Sequence, residues 1–263
     1  MFKAEQDCQQ KISRMNEDKN LFLFGPTGNL GPIWVEAAKN QGWNVIGLGK
    51  YPAEEKLNAS LVASITFDVS DFKDEDFIAI LDEFKPATVI YNSGIDSPPG
   101  KGNSKLQDFG SNSWREIFDV NLFGFVRLLN IFLDQQVRPS NYIAIGSMYA
   151  SLSPNYHLYS HLHNGHGSIK HPAYGASKAS LKSVIQQYAA TLAPYGIRLN
   201  MLSPGGVQGS QDDQFVSKFS IRTPVGRMAE SKELISAMTF LLDPDNSYFT
   251  GQDIRVDGGY GLW

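Results

Sequence analysis

The chain has little that would tie it to an oxidising compartment, a membrane or a nucleic acid. Its 263 residues include one cysteine, Cys8, so no disulfide can form within the chain and a reducing compartment is expected. No apolar run approaches the ~18 residues of a membrane span. The opening residues, MFKAEQDCQQKISRMNEDKN, are polar and lack the apolar core of a secretory signal, so a cytoplasmic location is expected. Lys and Arg number 23 against 27 Asp and Glu, a net charge of -4, and no long basic run occurs; this argues against a nucleic-acid binder. No internal repeat appears, and no Pro/Gly-rich linker parts the chain. Residues 1–19 therefore read as a polar extension, and 20–263 as a single domain.

What is present is a rhythm of short apolar runs and amphipathic stretches. Asn20 to Gly25 is an apolar run that stops at glycine, and the glycines after it favour a strand over a piece of helix. Leu30 to Gln41 then reads as a helix closed by Gly42. Further strands are expected at 44–48, 64–68, 88–92, 141–147, 198–203 and 252–256. Helices are expected at 71–84, from Ser113 as a cap to about Gln136, and at 174–195 and 231–242. Strands alternating with helices imply a doubly wound, Rossmann-type parallel sheet of about seven strands, with helices on both faces. Three segments break the rhythm: 95–112, 148–172 and 207–224. Each follows the carboxyl end of a strand, where open α/β sheets bind ligands.

The first strand runs into Gly25-Pro26-Thr27-Gly28-Asn29-Leu30-Gly31. Glycines spaced in this way allow a tight turn, close approach to a pyrophosphate, and packing of helix on strand, while the helix N-terminus offers amide donors. A Gly-rich turn alone is often only a turn. A strand before it and a helix after it are what make a dinucleotide the expected ligand. Where a second strand of this kind ends, an acidic residue would hydrogen-bond a ribose 2′-hydroxyl and repel a 2′-phosphate. Here that strand ends in Leu48-Gly49-Lys50. Lys50 suits a 2′-phosphate, so NADP is expected, with NAD as the alternative; Lys50 could equally be a solvated loop residue. Asp68-Val69 and Asn92-Ser93-Gly94 follow two more strands and could line the adenine side of the cleft or simply form turns.

Tyr174 and Lys178 lie four apart on a predicted helix and so share a face. A phenol normally titrates at about 10, and a nearby ammonium would stabilise its anion enough for proton exchange near neutrality. Ser147, at the end of a strand, could hydrogen-bond the same substrate oxygen. Asn121 is a polar residue inside an apolar helical stretch and needs a partner, for which an ordered water would serve. A Tyr/Lys pair taken alone is more often just surface.

These pieces occur in an order that resembles the short-chain dehydrogenase/reductase family along almost the whole chain after residue 20. The run is Gly25 to Gly31, Asp68-Val69, Asn92-Ser93-Gly94, Asp119-Val120-Asn121, Ile145-Gly146-Ser147, Tyr174 to Lys178, Ala193 to Asn200, Ser203-Pro204-Gly205-Gly206-Val207, Pro224 to Arg227, Thr250 to Gln252 and Val256 to Gly259. The resemblance implies an Asn121–Ser147–Tyr174–Lys178 tetrad. It implies cofactor contacts from Gly25, Thr27, Gly28, Asn29, Leu30, Gly31, Lys50, Asp68, Val69, Asn92, Ser93, Gly94, Tyr174, Lys178, Pro204, Gly205 and Val207. It also implies hydride transfer between nicotinamide and a carbonyl or secondary alcohol, and a homodimer or homotetramer built partly on the two long helices. Three features depart from the family pattern. Phe24 stands where a threonine is common, Gly209 stands where a threonine often follows Val207, and the interval from Ser147 to Tyr174 is unusually long. The added length, Ser151 to His171, resembles the aromatic-rich insert of reductases from surface-sugar and nonulosonic-acid pathways.

All five histidines (157, 161, 163, 166 and 171) fall in that insert. Their spacing could suit a metal, but no cysteine or acid lies among them, so no metal is expected. The insert reads instead as a substrate loop, with Tyr149, Tyr156 and Tyr159 presenting flat faces to a sugar-like substrate. The competing reading of the whole chain is a non-catalytic dinucleotide-binding sensor or scaffold.

Overall fold

The structure is a computed structural model, and it describes residues 19–97, 105–135, 138–162 and 168–263. Most of the polar extension, Cys8, His163 and His166 lie outside them. β1 (Asn20–Phe24) is followed by α1 (Gly31–Asn40), β2 (Asn44–Gly49), a short α2 (Glu55–Asn58), β3 (Ala63–Thr66), α3 (Asp74–Phe84) and β4 (Thr88–Tyr91). Next come α4 (Ser111–Phe118), a π-helical turn (Asp119–Phe123), α5 (Gly124–Asp134) and β5 (Asn141–Ile145). The chain closes with α6 (Pro172–Leu192), β6 (Arg198–Pro204), α7 (Asp213–Arg222), α8 (Ile235–Leu242) and β7 (Asp253–Val256).

The strands form one parallel seven-stranded sheet in the order β3-β2-β1-β4-β5-β6-β7. The strand order reverses between β1 and β4, which leaves a crevice at their carboxyl ends, as in other doubly wound sheets. Side chains alternate along each strand. Leu21 and Leu23 of β1 pack with Trp34, Val35 and Met238 on the face covered by α1 and α8. Phe22 and Phe24 point the other way, into a layer with Phe77, Phe132, Leu181 and Ile185. A third cluster lies outside both layers, where Met148, Tyr149, Leu158 and Tyr159 of the insert pack on Phe219 and Tyr260.

Two sequence expectations need correction. The helix expected from Ser113 to Gln136 is interrupted at Asp119–Phe123, because the Asn121 carboxamide turns inward to bond another segment (below). Ser113 does not cap it. Gly110 holds the cap position, and the Ser113 hydroxyl donates to the Gly110 carbonyl, 2.8 Å away, and meets His171 Nε2 at 2.8 Å. The tyrosine helix begins instead at Pro172, capped by His171 Nδ1, which accepts from the Ala173 N–H.

Phe77 contacts Phe22, Phe24, Phe67, Phe72 and Phe132 edge-on or tilted, and it has no solvent exposure. Phe77→Ala is expected to destabilise the protein by about 3–5 kcal/mol, the usual range for a phenylalanine cavity that neighbours cannot refill. Urea denaturation measures this, and a loss below about 1 kcal/mol would show that the cluster collapses into the space.

Candidate active site

The turn after β1 is held from three sides. The Asn92 amide donates to the Gly25 carbonyl over 2.7 Å, and Trp34 Nε1 donates to the Asn92 carbonyl oxygen over 2.8 Å. The Gly25 N–H donates to Leu48 of β2. Gly25 has a φ of 77° and lies so close to Ser93 that a side chain would touch its backbone. A side chain on Gly31 would overlap the Pro26 carbonyl. No side chain caps α1 and no acid stands in its first turn, so its positive dipole end is not neutralised from within. An uncapped helix N-terminus above a side-chain-free turn is a fitting seat for the pyrophosphate of a dinucleotide.

Around that seat the sequence-predicted residues fall into groups. Thr27, Gly28 and Asn29 are exposed at the rim, and Leu30 is the cap position of α1. Lys50 and Asp68 meet in an ion pair of 2.7 Å beyond the ends of β2 and β3. Asp68 also accepts from the Ser70 hydroxyl and N–H. Asp68 stays below the usual carboxylate range: the hydrogen bonds from Lys50 and Ser70 outweigh its partial burial, the largest single influence. The Val69 side chain is buried in the core, so only its backbone can face a ligand. Pro204 ends β6, Gly205 lies against Asp257, and Val207 bridges to Ala229 at the same sheet edge.

The four residues of the expected tetrad do converge. Asn121 is fully buried in the π turn. Its carbonyl oxygen accepts from the Ile95 N–H at 2.8 Å, and its amide donates to the Ile95 carbonyl and to Ser177 Oγ, each at 3.0 Å. Ser177 in turn donates to the Tyr174 carbonyl at 2.8 Å. Gly94 is the close neighbour of both Asn121 and Lys178, since a side chain there would lie 3.3 Å from Lys178 Nζ. The Lys178 ammonium is buried and donates to the Ile145 carbonyl at 2.7 Å. Ser147, next after β5 and Gly146, has its hydroxyl close enough to that of Tyr174 to favour the phenolate. Desolvation raises the Tyr174 phenol to about 12, helped by the Asp96 charge and opposed by the Ser147 hydroxyl. Desolvation likewise lowers Lys178 to about 8, against the pull of Asp96. The two shifts drive the phenol and the ammonium apart, each toward its neutral form, and strongly perturbed groups side by side in a cleft mark a candidate proton-handling site.

The substrate tyrosines are where the sequence reading fares worst. Tyr149 and Tyr159 are buried, with hydroxyls near enough to perturb each other, and are held in the third core cluster. They support the wall of the site more than they line it. Tyr156 is half-exposed beside His157. His161 contacts Asp212 at 2.9 Å and Lys218 at 3.0 Å, tying the insert to α7, and no metal-binding group of His, Cys, Asp and Glu is found among the described residues. The sequence reading missed Asp96, Lys170, Ser177 and the capping role of His171. Only His171 carried a signal, a cap-competent side chain just before a proline.

Comparisons with known proteins agree with this geometry. A family model described as Enoyl-(Acyl carrier protein) reductase matches residues 30–261. Galactitol 2-dehydrogenase (L-tagatose-forming) of Cereibacter sphaeroides is 27% identical over 223 residues, covering 80% of each chain. The 3-oxoacyl-(acyl-carrier-protein) reductase FabG of Vibrio harveyi is 24% identical over 264 residues, covering 92% of this chain and 97% of its own. The crystal structure of a short-chain dehydrogenase from Leptospira borgpetersenii with bound NAD+ superposes with a TM-score of 0.78 at 26% identity, covering 92% of both chains. The chain belongs to the short-chain dehydrogenase/reductase family of oxidoreductases.

Replacing Gly31 by alanine is expected to weaken NADH and NADPH binding alike, by roughly tenfold or more, because the turn must open by the width of a methyl group. Isothermal titration provides the measurement, and unchanged affinity for both would show that the turn does not cradle the dinucleotide.

Proposed function

We propose that this protein transfers a hydride between a nicotinamide dinucleotide, NADP in preference to NAD, and a carbonyl or secondary alcohol on a polar, sugar-like substrate. The observation that carries the reading is the Ser147–Tyr174 hydroxyl pair, held over the buried Lys178 ammonium at the same sheet edge as the uncapped α1 turn. Ser147 is placed to hydrogen-bond the reacting oxygen, and Tyr174 to exchange a proton with it. Lys178 stabilises the phenolate that this exchange leaves. Asn121 touches neither hydroxyl; through Ile95 and Ser177 it fixes the loop and the helix turn that carry the other groups. When bound, the nicotinamide supplies or takes up the hydride.

Support for NADP comes from Gly49, which stands where an acid would repel a 2′-phosphate, and from the exposed Lys50 beside it. Lys50 already pairs with Asp68, so a phosphate would have to share or replace that partner. Support for a sugar-like substrate comes from the galactitol dehydrogenase relative and from the insert after Ser147, which resembles that of surface-sugar and nonulosonic-acid reductases. Within a reducing cytoplasm, which the lone Cys8 suits, we expect a homodimer or homotetramer built partly on α4, α5 and α6. The exposed Phe123 at the π turn is one apolar contact available to it.

Tyr174→Phe is expected to lower kcat by roughly 10²–10⁴-fold with cofactor affinity nearly unchanged. Stopped-flow reduction of a keto sugar, with a parallel cofactor titration, decides it; retention of more than about a tenth of kcat would remove Tyr174 from the proton-transfer role. Wild type is expected to bind NADPH more tightly than NADH, and Lys50→Ala to lose that preference. Equal or tighter NADH binding by wild type would overturn the cofactor assignment.

A further inference from the structure

Asp96 and Lys170 come from segments 74 positions apart and meet as an ion pair over the Tyr174 ring. Each is put there by structure already described. Asp96 follows Ile95, whose N–H and carbonyl are both bonded by the Asn121 carboxamide. Lys170 stands two residues before α6, where the His171 cap fixes the direction of the chain. The Lys170 ammonium lies 4.8 Å from the Tyr174 ring centre and 5.5 Å from that of Tyr149. Lys178, by comparison, is 6.0 Å from the Tyr174 ring. The Asp96 charge is felt at Tyr149, Tyr159, His171, Tyr174 and Lys178, which makes it the carboxylate that faces this site.

The pair is poorly explained by stability. Its lysine side chain is only 8% exposed, and taking an ammonium out of water costs much of what the ion pair returns. Its aspartate remains 33% exposed, so the carboxylate still reaches solvent. Taken together the two groups are neutral, and so select no net charge. They do offer acceptors and donors side by side, which is what adjacent hydroxyl groups require. The half-buried face of Tyr174 beside them suits the C–H surface of a carbohydrate. A substrate anion would gain Lys170 but also meet Asp96 at once.

We propose that Asp96 and Lys170 are specificity-determining residues that bind vicinal hydroxyls next to the reacting carbon, so that the site selects polyhydroxylated substrates. This rests on the oxidoreductase reading above and deepens it. The test uses the full chain with its dinucleotide and three probes: a six-carbon alditol, the simple secondary alcohol 2-butanol, and a hydroxy amino acid. The variants are Asp96→Asn, Lys170→Met, and the double variant Asp96→Leu/Lys170→Met, which leaves no buried charge unpaired. Cofactor affinity and thermal midpoint check that each is folded.

The expected result is a loss of about tenfold or more in kcat/KM for the alditol, mostly through KM, as follows from removing hydrogen bonds to charged groups. The loss on 2-butanol should be several-fold smaller, limited to what the Asp96 charge does at Tyr174 and Lys178. Equal losses on both alcohols would overturn the proposal, leaving a general electrostatic effect on Tyr174. Preference for the hydroxy amino acid, abolished in the variants, would overturn the hydroxyl class, because a zwitterion would then be exchanging partners with the pair. If no alcohol or ketone is turned over, the oxidoreductase reading fails, and the clasp is judged by calorimetric binding of the alditol to the dinucleotide complex. Binding weakened about tenfold in the double variant upholds it; no binding by wild type overturns it.

Discussion

The carboxamide of Asn121 is the contact on which the site's assembly depends. It is fully buried and makes three hydrogen bonds, two to the backbone of Ile95 and one to Ser177. A buried amide of this kind is costly if left unpaired, so its partners are held firmly. Those partners belong to different parts of the chain. Ile95 lies in the loop after β4, and Ser177 lies one turn beyond Tyr174 in α6. The π turn widens the helix just enough for the amide to reach both. Remove the amide, and Gly94, Asp96 and the first turn of α6 lose their common reference point.

The sheet was legible because its cues are local. Apolar runs ending at glycine mark β1, and the glycine pattern marks the turn into α1. The four tetrad residues were legible by family resemblance, and the fold gathers them into one cluster. The π turn was not legible. Its backbone stays near helical geometry, so the periodicity of Trp114, Ile117 and Leu122 passes through it unbroken. Asn121 stood out as a polar residue among apolar neighbours, but nothing local shows that its partner is a loop backbone and not a water.

The insert after Ser147 was misread for a related reason. Tyrosines and histidines close to a reacting oxygen look like ligand contacts, yet the rings of Tyr149 and Tyr159 fill a small core with Phe219 and Tyr260. Their amphipathic chemistry suits either role, and only burial separates them. Asp96 and Lys170 show the opposite failure. Each is an ordinary charged loop residue in sequence, and their meaning comes from a contact across 74 positions that no short-range pattern contains.

The turn between β1 and α1 is braced by Trp34, Asn92 and Leu48 before any ligand arrives. Little conformational freedom remains there to be lost on binding. On the other side of the cleft, the Asp96–Lys170 pair must turn toward a substrate's hydroxyl groups if it is to hold them. Rigidity is therefore distributed unevenly across the crevice. A dinucleotide would meet a finished surface, while the second reactant would have to rearrange an existing contact. Such an arrangement favours a compulsory order of addition, dinucleotide first and the molecule to be oxidised or reduced second.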